Sequence, residues 1–345
     1  VKVAIDARSL AERSTSNRTY WSELIAAFGR RKDLELLLVS NVPLPPEDVP
    51  ANAEVVLHSG GGRVFSLFAL PKIARERKAD VVHVQYTVSP FFKTPVVTTV
   101  HDVSFLIEPA WFGLKDRLLL QWTVPASCRR AVRVLAVSET CRAEILERIP
   151  LPAEKVVTTL EAAPRRLLGL LPKPPKWDEP YVLLVGGASP RKNLAGAVEA
   201  VRGARKALPN LRLVVTGRLP ERPAEPWVVA PGPLEEAALA GAYRGAHVLL
   251  HPSFHEGFGL TILEAMALGC PVVASDRGAI PEVAGNAAVL CDPGDVAAMA
   301  RGLVGLVDPE ARAGQIERGR VRAMEFSWDD TAARTVEAYA EAIGR

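Results

Sequence analysis

The stretch from His255 to Val283, with the short run that precedes it, does most to restrict how this chain can fold. Val248-Leu249-Leu250 is a short apolar run of the kind that forms a strand buried in a parallel sheet. Glu256 follows in a loop with Gly257 and Gly259, and an apolar-periodic helix begins at about Thr261. Glu264 falls one turn into that helix. Gly269 ends it, Pro271 follows as a stop signal, and Val272-Val273 open the next strand. At the start of such a helix, backbone N–H groups lack partners and the dipole is positive, so strand, glycine loop and helix together make an anion site. Two carboxylates flank it at the spacing Glu-x7-Glu. Acids beside an anion pocket suit a ligand carrying both phosphate and hydroxyl groups, because carboxylates accept hydrogen bonds from sugar OH groups.

The same alternation of elements recurs along the chain. Strand candidates in the first half are Val1–Asp6, Leu34–Ser40, Val55–Leu57, Val81–Val84 and Val96–Val100. Helical patterns lie between several of them, including one from about Thr19, Leu67–Lys78 and Leu114–Cys128. Arg133–Val137 leads into Ser138, a helix N-cap by type and position. Alternation of this kind predicts an α/β chain with doubly wound parallel sheets. From Pro164 to Pro180 the composition shifts to interleaved Pro and Lys, which predicts an irregular interdomain linker. The alternation then restarts with Tyr181–Val185, a helix from Leu194, Leu211–Thr216 and a helix near Glu235–Arg244. Near the end, Ser327 has capping-box character with Asp330, and Trp328, Ala332, Val336, Tyr339 and Ile343 share one helical face.

At 345 residues the chain suits two domains better than one core. Hydrophobic residues at 48% and charged residues at 23% describe a globular chain. A net charge of +3 is too small to point to nucleic acid. No apolar run approaches a membrane span, and VKVAID starts a strand rather than a signal peptide. Cys128, Cys141, Cys270 and Cys291 are scattered, with neither CxxC nor metal spacing, so reduced thiols and a cytoplasmic location are expected. Gly60-Gly61-Gly62 reads as a flexible turn. No GxGxxG follows any strand, which disfavours a nicotinamide enzyme.

Two further segments carry chemistry. His101-Asp102 directly follows the strand Val96–Val100, and ligands of open parallel sheets bind outside the carboxyl ends of strands. A lone histidine there is either structural or a ligand contact. After Val185 comes Gly186-Gly187-Ala188-Ser189-Pro190-Arg191-Lys192-Asn193, a glycine loop and a basic pair leading into a helix. Arg191 can grip a phosphate with its planar fork, and Lys192 adds a point charge. No acid cluster of the DxD kind sits at a strand end in the second half, so these cations are expected to replace a metal.

The ordered combination of Glu256, Gly257, Gly259, Glu264-Ala265-Met266 and Pro281-Glu282 resembles the signature of the retaining glycosyltransferases of family 4. The resemblance covers nearly the whole chain and is stronger in the second half. It implies two Rossmann-like domains facing across a cleft, the glycosyltransferase B fold. Residues 1–168 and 326–345 would form the acceptor-side domain with a returning C-terminal helix, and 169–325 the donor-binding domain. It implies transfer of a sugar from a nucleoside diphosphate to an acceptor hydroxyl with retention, with no cofactor beyond that co-substrate. The donor would be a GDP- or UDP-sugar, and the Pro-Arg-Lys-Asn run resembles members that transfer mannose from a guanine nucleotide. The acceptor would be a carbohydrate or lipid-linked, and peripheral membrane contact stays open.

By the same resemblance Glu264 binds the ribose, Gly187, Arg191 and Lys192 lie at the donor pyrophosphate, and His101 and Glu256 contact the sugar. Phe258, Gly259 and Leu260 contribute backbone N–H groups beside Gly257. One departure concerns the first loop, Ser9–Asn17, where the family commonly carries a glycine pair before a tyrosine. Here Ser16 and Arg18 precede Tyr20, so Arg18 either supplies a side-chain contact or belongs to a mobile loop. A nucleotide-sugar-binding protein without transfer, or a nucleotide-sugar isomerase on the same scaffold, are the competing readings.

Overall fold

The computed structural model describes residues 1–12, 16–175, 177, 180–187, 189–219, 221 and 224–344. Two compact units emerge, Val1–Glu161 with Ser327–Arg345, and Ala162–Phe326.

The first unit is built on seven strands: β1 (Lys2–Asp6), β2 (Glu35–Ser40), β3 (Ala53–Leu57), β4 (Val81–Gln85), β5 (Val96–Val100), β6 (Arg133–Ala136) and β7 (Val156–Thr158). They form one parallel sheet in the order β3-β2-β1-β4-β5-β6-β7. The inner strands are buried and largely apolar on both faces, as a sheet covered by helices on each side requires, and all five residues of β5, Thr98 and Thr99 among them, are buried. The direction of winding reverses between β1 and β4. The C-terminal helix, Trp328–Ala342, belongs to this unit and buries Trp328, Ala332, Thr335, Ala338 and Tyr339. Val336 and Ile343, expected on the same face, are only half-buried. Ser327 caps the helix through the Asp329 amide at 3.2 Å.

The second unit contains β8 (Tyr181–Val185), β9 (Arg212–Thr216), β10 (Val228–Gly232), β11 (Val248–His251), β12 (Val272–Ser275) and β13 (Val289–Cys291). Their parallel order is β10-β9-β8-β11-β12-β13, and the reversal falls between β8 and β11. Val182, Leu184, Val201, Leu213, Val215, Leu250 and Leu303 belong to its buried core.

Three elements depart from expectation. The segment from Pro164 is not irregular throughout, because Arg165–Gly169 is a short helix. Arg166 Nε pairs with Glu236 Oε2 at 2.6 Å, and the Lys173 amide donates to Ala237 O at 3.0 Å. Gly241 permits that approach, since a Cβ there would lie 1.7 Å from Lys173 O. The Pro-Lys stretch therefore runs along the helix Glu236–Gly245, although Lys176 lies outside the described residues. Second, Gly62 begins a helix that continues through Phe65–Ala69 to Glu76 rather than ending a loose turn. Third, Arg18 is held inside the first unit. Its Nη2 pairs with Asp48 Oδ2 at 2.8 Å and its Nε donates to Leu10 O at 3.1 Å. Residues 13–15 of that loop lie outside the described residues.

The helix Leu114–Arg130 carries Leu114, Leu118 and Trp122 at successive turns of one face, and Trp122 is 78% exposed. Among the described residues, no helix is long and apolar enough to cross a membrane.

Candidate functional site

The turn after β8 and the loop after β11 meet where the second sheet reverses, the place at which open α/β sheets bind ligands. Asn193 joins them. It adopts a left-handed conformation at φ 54°, caps the helix Leu194–Ala204 through Gly196 N, and donates to Pro252 O at 3.2 Å and Pro293 O at 2.9 Å. The Phe254 amide donates back to Arg191 O at 2.8 Å. The basic pair thus projects from a turn fixed on both sides.

Its side chains converge on Glu256. Arg191 Nη1 donates to Glu256 Oε2 at 2.9 Å and to His255 O at 2.6 Å, while Lys192 Nζ donates to Glu256 Oε1 at 2.7 Å. His251 Nε2 lies 3.2 Å from the same Oε1. Burial alone would raise the Glu256 carboxyl, but Lys192, Arg191 and His251 together hold it well below its ordinary range. It is therefore a buried carboxylate compensated by two cations. Gly278 supports the backbone beneath it, at φ +56°, where a Cβ would meet Glu256 O at 2.5 Å.

Gly259, at φ +108°, turns the chain into the helix Leu260–Ala267, whose N-terminus has no side-chain cap. Glu264 lies within that helix, buried, and its Oε2 accepts from the Tyr243 hydroxyl at 2.6 Å. Burial pushes the Glu264 carboxyl up to about 7, with the Tyr243 hydrogen bond and Lys192 opposing. Phe258 is buried against Phe326, ring centroids 5.9 Å apart. Gly187 is required by packing, since a Cβ would meet Val215 at 2.9 Å and Leu219 at 3.0 Å. Ala188, in the same loop, lies outside the described residues.

In the first unit His101 follows β5. Its Nδ1 lies 3.1 Å from Glu161 Oε1. The Tyr20 ring meets the imidazole edge-on at 4.8 Å, and the Tyr86 ring lies at 5.7 Å. The Tyr20 hydroxyl shares Thr99 Oγ1 with His83, at 2.8 and 2.7 Å, and His83 Nδ1 reaches the Tyr339 hydroxyl at 2.6 Å. Burial lowers His83 to about 3, so it stays neutral within this network. Among the described residues, no group of three or more His, Cys, Asp or Glu side chains is placed to hold a metal.

Comparison with known proteins identifies the chain. Residues 19–159 match the family described as Glycosyltransferase Family 4, and residues 179–308 the one described as Glycosyl transferases group 1. The O-antigen chain mannosyltransferase B of Escherichia coli is 33% identical over 290 residues, covering 77% of this chain and 75% of that protein. The chain belongs to glycosyltransferase family 4. Among solved structures, the sucrose-phosphate synthase of Thermosynechococcus elongatus aligns with a TM-score of 0.75 at 20% identity, over 99% of both chains. Anabaena HepE, solved with UDP and glucose, aligns at 0.71 and 16% identity, over 99% of each. This family 4 glycosyltransferase has the glycosyltransferase B fold, with its parallel sheets of seven and six strands.

Within the glycosyltransferase, the structure joins Arg191, Lys192 and Glu256 in direct contact and sets Glu264 against Tyr243. His101 lies in the other unit. Sequence reasoning missed His251, Tyr243, Gly278 and Glu161, and the part Asn193 plays in joining the two loops. His251 ends a strand just ahead of Glu256, a position that could have marked it. Tyr243 and Glu161 give no signal, because each reaches its partner from another element.

Proposed function

We propose that this glycosyltransferase moves a hexose, with retention, from a nucleoside diphosphate sugar to a hydroxyl of a carbohydrate or lipid-linked acceptor. The observation carrying this reading is the convergence of Arg191 and Lys192 on one buried carboxylate at the switch point of the second sheet. Fixed cations beside an uncapped helix N-terminus suit a departing diphosphate, and preorganised charge acts most strongly where charge develops.

In this reading residues 169–325 form the donor-binding domain, and residues 1–168 with 326–345 hold the acceptor. Arg191, Lys192 and the loop at Gly187 take the diphosphate, exchanging part of their contact with Glu256 for phosphate oxygens. Phe258, Gly259 and Leu260 add backbone N–H groups beside Gly257. Glu264 accepts the ribose hydroxyls, Glu256 contacts the transferred sugar, and His101 contributes a further sugar contact. The cations do the work of a divalent metal, so none is required. Mannose from a GDP donor is favoured by the Escherichia coli relative, a mannosyltransferase, and by the Pro190–Asn193 run. A UDP donor is the second reading, favoured by the fold neighbour solved with UDP and glucose. The exposed stripe Leu114, Leu118 and Trp122, with Lys115 and Arg117 beside it, supports contact with an anionic lipid surface on which such an acceptor would reside.

Thermal shift across GDP, UDP, ADP and TDP tests the donor, because a ligand bound only by the folded state raises its stability by mass action. GDP should shift the transition furthest. No shift with any nucleoside diphosphate, and no release of one from the matching mannose or glucose donors, would refute the reading.

A further inference from the structure

Glu161 follows β7 and His101 follows β5, at the carboxyl ends of strands separated only by β6. Glu161 is 4% exposed, and a buried acid of this kind needs a partner. Its Oε1 faces His101 Nδ1 at 3.1 Å. A carboxylate only accepts, so Nδ1 carries the hydrogen, and in the neutral ring the lone pair falls on Nε2. His101 Nε2 is buried and makes no hydrogen bond within the protein. The ring is also fixed laterally, by the edge of Tyr20 at 4.8 Å and by Tyr86 at 5.7 Å. Tyr86 itself sits at φ +58°, a sparsely populated conformation for a side chain of that size. An oriented imidazole with one nitrogen satisfied and the other left without a protein partner is built to meet a ligand.

We infer that Glu161 is a positioning residue that fixes His101 as the Nδ1–H tautomer, leaving Nε2 to accept a hydrogen bond from a hydroxyl of the transferred sugar. This rests on the reading of His101 as a sugar contact. Glu161 touches no substrate itself and acts only through the ring. The other titratable groups around the imidazole are Tyr20, Tyr86, His83, Cys141 and Asp102. Cys141 Sγ faces the His101 carbonyl at 3.7 Å, and Asp102 is engaged with Ser104. At Nδ1 the ring meets the Glu161 carboxylate, and that contact sets the tautomer.

The test combines spectroscopy with a mutant cycle on the full chain. Nitrogen-15 shifts of labelled histidine, assigned by loss of the His101 signals in His101→Ala, should show Nδ1 protonated and Nε2 bare. Glu161→Ala should yield a mixture of tautomers and lower kcat roughly tenfold to a hundredfold, by analogy with the loss of a side chain that orients a metal-bound histidine. Donor KM should change little. Glu161→Gln keeps the shape of the side chain and guards against misfolding. Its amide can accept from Nδ1 or donate to it, so its kcat should follow whichever tautomer the spectrum shows. The double variant His101→Ala/Glu161→Ala should be no slower than His101→Ala alone. Protonation at Nε2 in the wild type, an unchanged kcat in Glu161→Ala, or additive losses in the double variant would each overturn the inference. Wild-type kcat in His101→Ala, with the tautomer still set by Glu161, would instead remove the sugar role of His101 and the inference with it.

Discussion

Tyr243 donates its hydroxyl to Glu264 across 2.6 Å, and both side chains are buried. The acid proposed to bind ribose thus accepts a hydrogen bond from a phenol on another helix. Burial pushes its carboxyl up to about 7, from an ordinary 4.5. Below about pH 4.5 the group is protonated in folded and unfolded chains alike, and its burial carries no ionisation cost. Between 4.5 and 7 the unfolded chain ionises while the folded one keeps its proton, so stability is lost as pH rises. The cost is complete above 7, at about 3 kcal/mol. Glu264→Gln removes the ionisation and keeps an acceptor for Tyr243. Its unfolding free energy relative to wild type should therefore rise from pH 4.5 to pH 8, by up to that amount. Parallel urea denaturation curves across this range, with no divergence, would show that burial does not hold the proton.

Arg191 makes charge-assisted bonds to Glu256 and to the backbone of His255. In the transition state those donors are proposed to serve the leaving diphosphate. Arg191→Ala should remove about 1.5–3 kcal/mol of such bonding. The rate should fall roughly tenfold to a hundredfold. Lys192 still compensates Glu256, so circular dichroism and cooperative unfolding should survive. An unchanged kcat would place the diphosphate elsewhere.

Activity should persist in excess chelator, because Arg191 and Lys192 are proposed to supply the positive charge that a divalent ion otherwise provides. Initial rates with and without EDTA decide the matter. Loss of turnover restored by a single divalent ion would contradict it.

Leu114, Leu118 and Trp122 stand on one exposed face of a helix that also carries Lys115 and Arg117. Sedimentation with vesicles containing anionic phospholipid should retain the protein at low salt and release it at high salt. Trp122→Ser should weaken the partition by about tenfold, the equivalent of about 1.4 kcal/mol. Equal partition of wild type and variant would remove the lipid surface as the partner of this face.

What was legible in the sequence follows burial. The inner strands β1, β5, β8, β11 and β12 are mostly buried and rich in Val, Leu, Ile and Ala, because both of their faces are covered. The three strands that escaped notice, β7, β10 and β13, all lie at sheet edges. Two have only three residues, and β10 contains Pro231, which an edge strand tolerates because one side of its ladder is open. The same logic separates the site residues. Arg191, Lys192, Glu256 and Glu264 stand beside glycines in strand–loop–helix units, so local pattern exposes them. Glu161 meets a histidine sixty positions away. Only the strand order brings that pair together, and no local pattern records strand order. Arg18 is the converse: a conspicuous charge expected in a loop, which lies in the first turn of the helix Ser16–Gly29 and holds Asp48.

The two acids of the Glu-x7-Glu pair should separate kinetically. Glu264 is proposed to hold the ribose, a part of the donor that does not react. Above pH 7, where the carboxyl is ionised, losing its charge removes binding common to ground and transition states, so Glu264→Gln should there raise donor KM with kcat little changed. Glu256 sits between Arg191, Lys192 and His251, and its contact with the sugar matters most as charge develops at the reacting carbon. Glu256→Gln should therefore lower kcat. It also removes the partner of two cations, which should then hold the free diphosphate more tightly and slow its release. Steady-state kinetics with donor varied at saturating acceptor, together with product inhibition by the nucleoside diphosphate, resolve both effects. If Glu264→Gln abolishes kcat while Glu256→Gln changes only donor KM, the two roles are reversed.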